Sequence, residues 1–400
     1  MTQLYYPLNS LREGNWFKLI CGASFQHLPS VRNLTLAYTL AGADCIDVAA
    51  DPAVIEVAQE ALQVAGELTA AAQEQGLSVP SKPWLMVSLN DGEDPHFRKA
   101  QFNPDLCPVD CPRPCEKICP AQAIVFEDTN EVTSGVIEQR CYGCGRCLPV
   151  CPSQLISTRS YVSPRSAITQ LILQTGIDAL EIHTQVGHYT DFQLLWRIIA
   201  PWVYRLKLIA ISCPDGENLI EYLWSLYQLI TPLPCALVWQ TDGRPMSGDI
   251  GIGTTRAAVK LSEKVLAAKL PGYVQLAGGT NHHTVAKLQA VGLLKGRERG
   301  EKERGGESKN SSFSKPYSQP YIAGVAYGSY ARVLLLPILD ELEKLNEQEV
   351  ATYLAASQTP SVRHLEKFPK LLWQAVARAD SLVSQLKGTG NGELGMGNWE

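Results

Sequence analysis

No apolar run in this 400-residue chain approaches the roughly 20 residues that a membrane-spanning helix requires. The most hydrophobic stretches, residues 194–203 and 333–339, are short and broken by Arg197, Pro201 and Pro337. A membrane span is therefore excluded on sequence grounds. Residues 1–15 also lack the basic start and apolar core of a signal peptide, so a cytoplasmic location is expected. Excess positive charge is missing as well. Thirty-five basic against forty acidic side chains give a formal charge of -5, which offers no electrostatic basis for nucleic acid as a partner.

Familiar catalytic signatures are absent too. The polar loop 241–256 has no Gly-Lys-Thr ending, and its Gly251-x-Gly253 lacks the third glycine of a dinucleotide fingerprint. No Ser-His-Asp, Cys-His or His-Glu-x-x-His arrangement can be assigned, which leans the reading away from a catalyst. His183, His188, His282 and His283 stand as candidate acids, bases or ligands, with solvated loop histidines as the plainer reading. What remains, 45% hydrophobic and 19% charged residues, is enough apolar material for one large folded domain or two.

Cysteine is where the sequence is rich. Eight of the twelve cysteines lie between Cys107 and Cys151, a clustering that in a long cytosolic chain points to metal rather than to disulfides. The second half of this window reads Cys141-x2-Cys144-x2-Cys147-x3-Cys151-Pro152, the spacing of bacterial ferredoxins that carry [4Fe-4S] clusters. Two-residue gaps let one loop aim three thiolates at one cluster, and Gly143 and Gly145 let the backbone approach closely. In such runs the fourth cysteine serves the other cluster. The first half, Cys107-x3-Cys111-x3-Cys115-x3-Cys119-Pro120, keeps the closing Cys-x3-Cys-Pro but widens two gaps by one residue each.

The crossed pattern assigns Cys107, Cys111, Cys115 and Cys151 to one cluster, and Cys119, Cys141, Cys144 and Cys147 to the other. Residues 123–128 and 131–137 read as a hairpin around Thr129-Asn130 linking the two loops. The competing readings are two zinc sites, and clusters that act only as structural staples. The wider gaps, stiffened by Pro108, Pro112 and Pro114, would enlarge the first loop, leave one thiol free, or make that cluster easier to oxidise or lose. Cys21, Cys45, Cys213 and Cys235 sit in or beside apolar segments and read as small core side chains.

Outside the window, strand-like runs at 17–21, 45–48, 84–89, 179–183, 206–212, 235–240, 273–277 and 322–327 alternate with helical ones at 34–40, 53–73, 166–174, 192–204, 219–230, 255–269 and 284–294. Alternation calls for a parallel sheet, because parallel neighbours need crossover connections. Eight units predict an α/β fold of the (β/α)8 barrel type, with an open doubly wound sheet as the alternative. The expected domain plan is residues 1–94 as the first part of the barrel, 95–162 as a ferredoxin-like 2[4Fe-4S] insertion, and 163–345 as the second part. Helices follow at 346–386 and a flexible tail at 387–400. Further helices are expected at 333–345, 350–356 and 371–386. Residues 295–319, rich in Lys, Arg, Glu, Gly and Ser, read as a disordered loop, either a solvated insertion or a segment for docking a partner.

The insertion leaves the barrel at the carboxyl end of the third strand, the end where barrels place their sites. Loops after the seventh and eighth strands carry Gly278, Gly279, Gly328 and Ser329, a candidate phosphate or flavin site, with tight strand-to-helix turns as the plainer reading.

Taken together, the paired cysteine runs with their unusual first spacing, the segment 11–23 and the region through Arg332 resemble the cyanobacterial light-dependent period (LdpA) family. The resemblance implies a regulator carrying two [4Fe-4S] clusters that conveys photosynthetic redox state to the circadian clock. Its partners would be clock proteins and a soluble electron donor or the quinone pool. The other function class is a reductase whose ferredoxin module feeds a flavin held at the barrel mouth.

Overall fold

The computed structural model describes residues 6–77, 79, 81–126, 134–160, 165–244, 250–295, 321–355 and 363–388. The turn expected at Thr129-Asn130, most of the tract 295–319 and the tail beyond 388 lie outside these residues.

Strands β1 (Trp16–Ile20), β2 (Cys45–Ala49) and β3 (Trp84–Asn90) precede the cysteine-bearing segment. That segment carries β4 (Arg98–Gln101), β5 (Ile124–Val125), β6 (Gly135–Val136) and β7 (Ser157–Ser160). After it come β8 (Ala179–His183), β9 (Leu208–Pro214), β10 (Ala236–Asp242), β11 (Tyr273–Ala277) and β12 (Gly324–Tyr327). The barrel closes in the order β1-β12-β11-β10-β9-β8-β3-β2, with every pair parallel. The closure of β1 onto β12, with Trp16 opposite Gly324, removes the open-sheet alternative.

Register and the two-residue period decide what fills the barrel. Lys18 pairs with Cys45, Ser88 with Glu181, and Gln240 with both Ser212 and Gln275, so these side chains share the inner face. The floor is apolar, built from Trp16, Cys45, Trp84, Met86, Leu208 and Val238. Trp16 explains Gly324: a Cβ there would fall 2.5 Å from the Trp16 Cβ. Above this floor the interior turns polar with Lys18, Asp47, Ser88, Glu181, Ser212, Gln240 and Gln275, all buried.

The helices follow their sequence signals. In Pro52–Glu67, the Asp51 carboxylate accepts from Ala53 N and Val54 N at 2.9 and 3.2 Å, and Pro52 occupies the first turn. Val54, Ile55, Ala58, Ala61, Leu62 and Ala65 recur at helical spacing and form its buried stripe. The helix expected over 53–73 is two, since the chain breaks at Leu68 before Thr69–Glu74. That expected over 192–204 runs Tyr189–Ile199 and tightens to a 3-10 turn at Ala200–Arg205, where Pro201 removes a donor. The two segments expected at 333–345 and 350–356 form one helix, Ser329–Ala355, which passes through Pro337.

The cysteine-bearing segment leaves β3 at the barrel's carboxyl end and returns to β8. Its hairpin pairs β5 with β6, antiparallel, between the two cysteine runs. A second antiparallel pair, β4 with β7, has no counterpart in the sequence reading. It staples together the entry and exit of the insertion.

Candidate metal centre and barrel mouth

The eight cysteines of the two runs form two sets, and each set crosses between the runs. Burial pushes the Cys147 thiol up to about 12, and the charges of Cys144, Cys141 and Cys119 add to the effect. Cys144 is raised by burial and by Cys119 and Cys141. In the other set Cys115 is raised by burial and then by Cys151 and Cys107. Cys107 is raised by burial, by a hydrogen bond with Cys111, and by the charges of Cys111 and Cys151. Thiols packed this way oppose one another's ionisation, and a cationic centre between them reverses that cost by stabilising the thiolates.

The surroundings of the second set fit an iron–sulfur cluster. A cavity is lined by Cys119, Cys141, Cys144 and Cys147 with Ala100, Ala123 and Ile124. Two backbone donors point at its sulfurs: Ala100 N to Cys141 Sγ at 3.3 Å and Ala123 N to Cys119 Sγ at 3.2 Å. Gly143 and Gly145 take left-handed backbone conformations, with φ of +71° and +74°. A Cβ on Gly143 would stand 2.1 Å from the Arg98 carbonyl oxygen, so only glycine closes this loop against the insertion's entry.

The first set lies nearer to water. Cys107, Cys111 and Cys151 are half-buried, and the neighbouring Leu106 and Val109 are 64% and 100% exposed. Cys21, Cys45 and Cys213 are buried and Cys235 is half-buried, apart from both sets.

The barrel mouth forms a second concave site. Gly278, Gly279, Gly328 and Ser329 all line it. Gly278 has a packing reason to be glycine, since a Cβ would meet Asp242 Oδ1 at 2.0 Å. Tyr142 belongs both to this cavity and to the one ringed by the second cysteine set. Its ring lies under the Arg332 guanidinium at 4.1 Å. Arg332 donates in turn to the carbonyls of Ile20 and Cys21 at 2.9 and 3.0 Å, tying the module to the ends of β1 and β12.

A charged network forms the cavity's floor. Lys18 Nζ bonds Glu181, lies 3.1 Å from Asp47 Oδ2 and donates to Gln240 Oε1 at 3.0 Å. Burial would strip the ammonium of its proton, yet Asp47 and Glu181 hold it charged, above its ordinary range. Glu181 Oε1 also accepts from Gln240 Nε2 at 2.6 Å and contacts His183 Nε2 at 2.9 Å.

His96, in the 3-10 turn Pro95–Phe97 at the entry of the insertion, was missed by the sequence reading. Its signal is the Asp94-Pro95-His96 step just beyond a barrel strand. Its ring lies between Asp94 Oδ1 at 2.7 Å and Asp242 Oδ2 at 2.9 Å. Burial opposes a charge on His96, but Asp242 and Asp94 hold it well above the usual histidine range.

Of the sequence candidates, only His183 joins this network. His188 bonds Asp91 Oδ1 at 3.0 Å, while His282 and His283 are exposed, with ring centroids 3.6 Å apart.

A closed eight-stranded barrel with two crossed four-cysteine sets in an insertion at its mouth defines an iron–sulfur barrel protein. The LdpA Fe-S cluster-binding domain matches residues 107–162, and the Light dependent period A C-terminal domain matches residues 171–385. Light dependent period A of Synechococcus elongatus is 48% identical over 382 residues, 96% of this chain and 94% of its own. The chain belongs to the Light dependent period A family. Two solved structures of tryptophan synthase from Mycobacterium tuberculosis align over 97% of this chain and 98% of theirs, with TM-scores of 0.38 and 0.37 at 10% and 11% identity. Among the described residues no helix is long and apolar enough to cross a membrane.

Proposed function

We propose that this protein is a cytoplasmic redox sensor that conveys photosynthetic redox state, and so light, to the circadian clock through two [4Fe-4S] clusters. Cys107, Cys111, Cys115 and Cys151 hold one cluster, and Cys119, Cys141, Cys144 and Cys147 hold the other. The observation that supports the reading is the cavity that Cys119 of the first run lines together with Cys141, Cys144 and Cys147 of the second, in a chain 48% identical to a relative named for light-dependent period.

When bound, each cluster supplies a one-electron couple. The chain's own residues set its conditions. Ala100 N–H and Ala123 N–H donate to cysteine sulfurs and so favour the more negative state. Tyr142 closes the second set's cavity on its barrel side. Leu106 and Val109 beside the first set are exposed, which supports this side as the one that electron donors and clock proteins would approach. A soluble carrier or the quinone pool is the electron source. Redox state then biases partner binding through the differing stability of two surface states.

The test is an anaerobic absorption and EPR spectrum, oxidised and dithionite-reduced, with iron, sulfide and flavin quantified on the same sample. Two reducible [4Fe-4S] centres without flavin are expected. Cys144→Ser bleaches one of them and abolishes the redox-dependent change in binding to clock proteins; unchanged binding overturns the reading. A flavin-fed reductase is the second reading, favoured by the Tyr142 wall shared between the two cavities. Co-purifying flavin would decide for it.

A further inference from the structure

We propose that the barrel mouth is a further metal centre, binding one divalent first-row transition ion through Asp94, His96 and His183, separately from the two cysteine sets. One ligand atom from each of these residues lies within 4.8 Å of the other two. Asp94 Oδ1 is 2.7 Å from His96 Nδ1 and 3.7 Å from His183 Nδ1, so both imidazoles present the same nitrogen to one carboxylate.

The opposite nitrogens are already taken. His96 Nε2 lies 2.9 Å from Asp242 Oδ2, and His183 Nε2 lies 2.9 Å from Glu181 Oε1. A carboxylate at Nε2 makes that nitrogen the N–H donor and leaves the Nδ1 lone pair for a metal, the pattern by which metal-binding histidines are oriented. A proton on His96 can satisfy the short contact to Asp94. It does nothing for His183 Nδ1, whose 3.7 Å separation is too long for a hydrogen bond. An ion joins all three.

Asp47, Asp94, Glu181 and Asp242 are four buried carboxylates near these rings. Lys18 pairs with Asp47 and Glu181, and Arg244 and Arg332 line the same cavity. An ion on Asp94 would therefore take the place of the proton that Asp94 shares with His96.

Two histidines and one carboxylate form a three-ligand set that leaves coordination positions open, a donor set suited to iron(II) or manganese(II). Those positions face a cavity lined by His96, His183, Glu181 and Asp242, where a water or a small oxygen-rich ligand fits. Two ligands come from the insertion's entry turn and the third from β8, so the ion would pin the module to the barrel. The same turn backs the second cysteine loop, where the Pro95 and Arg98 carbonyl oxygens enclose Gly143.

The experiment is a manganese(II) titration of chelator-treated, cluster-loaded protein, with free ion read from its room-temperature six-line EPR signal. One equivalent is expected to bind, and EDTA to release it while cluster absorption persists. Asp94→Asn and His183→Gln should each weaken binding at least about tenfold without changing the far-UV circular dichroism. Cys144→Ser should still bind manganese, which separates failure of this site from failure of the cluster assignment. No stoichiometric binding, or equal affinity in whichever of Asp94→Asn and His183→Gln folds, overturns the proposal.

Discussion

Two single residues carry more of the architecture than their size suggests. Gly143 combines a left-handed φ of +71° with a Cβ position 2.1 Å from a backbone oxygen, so any side chain must displace the loop bearing Cys141, Cys144 and Cys147. Gly143→Ala should therefore lose about half of the bound iron and sulfide, because the other cysteine set is spared. Iron content equal to the wild type would contradict this.

His27 makes a different argument, about protons. Burial and the nearby Arg140 push its pKa down to about 4, although Glu343 Oε1 lies 3.5 Å from its Nε2. A carboxylate partner would raise the value, but Arg140 lies 3.3 Å from Glu343 Oε2 and offsets that pull. The folded pKa is below the unfolded one, so the stabilisation is fully present above about pH 6.5 and is lost as pH falls toward about 4. The loss reaches up to about 3 kcal/mol across that window. Urea unfolding from pH 7 to pH 4 measures it, and His27→Gln should flatten the slope in that range.

Among elements, those with strong local signals were legible in the sequence and those created by tertiary pairing were not. The eight barrel strands are nearly continuous apolar runs, as strands buried on both faces must be, and they stand out. The pair β4 and β7 reads Arg-Lys-Ala-Gln and Ser-Thr-Arg-Ser, with no apolar alternation. It exists because the insertion's two ends meet, and nothing local announces that. The cysteine sets were readable because metal ligation demands fixed spacing. The charged network was not, since Lys18, Asp47, Glu181, His96 and Asp242 lie far apart in the chain and converge only through barrel closure. His183 stands at a strand end, where sequence marks it, whereas His96 gains its carboxylate partners Asp94 and Asp242 only in the folded barrel.

The two cysteine loops also differ in their protection. Three thiols of the first set are half-buried, beside a fully exposed Val109, whereas the second, with two half-buried thiols, encloses its cavity with Ala100, Ala123, Ile124 and the Tyr142 ring. On brief exposure to air, the cluster on Cys107, Cys111, Cys115 and Cys151 should be lost first. EPR of samples withdrawn over time and re-reduced would follow the two signals, and simultaneous loss would show that solvent access is not what separates them.

The whole molecule is drawn together at the end of the barrel opposite the cysteines. Asp44, just before β2, is buried and gathers three separate parts of the chain. Ser10 Oγ donates to it at 2.7 Å from the first helix, Tyr6–Glu13, and Phe17 N donates at 2.7 Å from β1. Lys387 Nζ, in the last turn of the helix Pro369–Lys387, donates to both oxygens at 2.6 and 2.5 Å. A second clasp works at the flank, where Arg32 on the helix Leu28–Leu40 holds Glu366 at 2.9 and 2.8 Å and Glu60 at 2.9 Å. The carboxyl-terminal helix is thus fastened to the barrel by charge as well as by its buried face of Leu372, Ala375, Val376, Ala379 and Val383.

Burial raises the Asp44 carboxyl pKa, and Lys387, Phe17 and Ser10 work against that shift. Lys387→Met keeps the side chain's apolar length but leaves Asp44 buried without its counter-ion, which should cost about 3 kcal/mol. The double variant Lys387→Met with Asp44→Asn should recover most of that, because the amide needs no counter-ion while its oxygen still accepts from Phe17 N. Denaturant midpoints for the two variants decide the matter. A double variant no more stable than the single one would mean that the loss comes from helix packing rather than from the stranded charge.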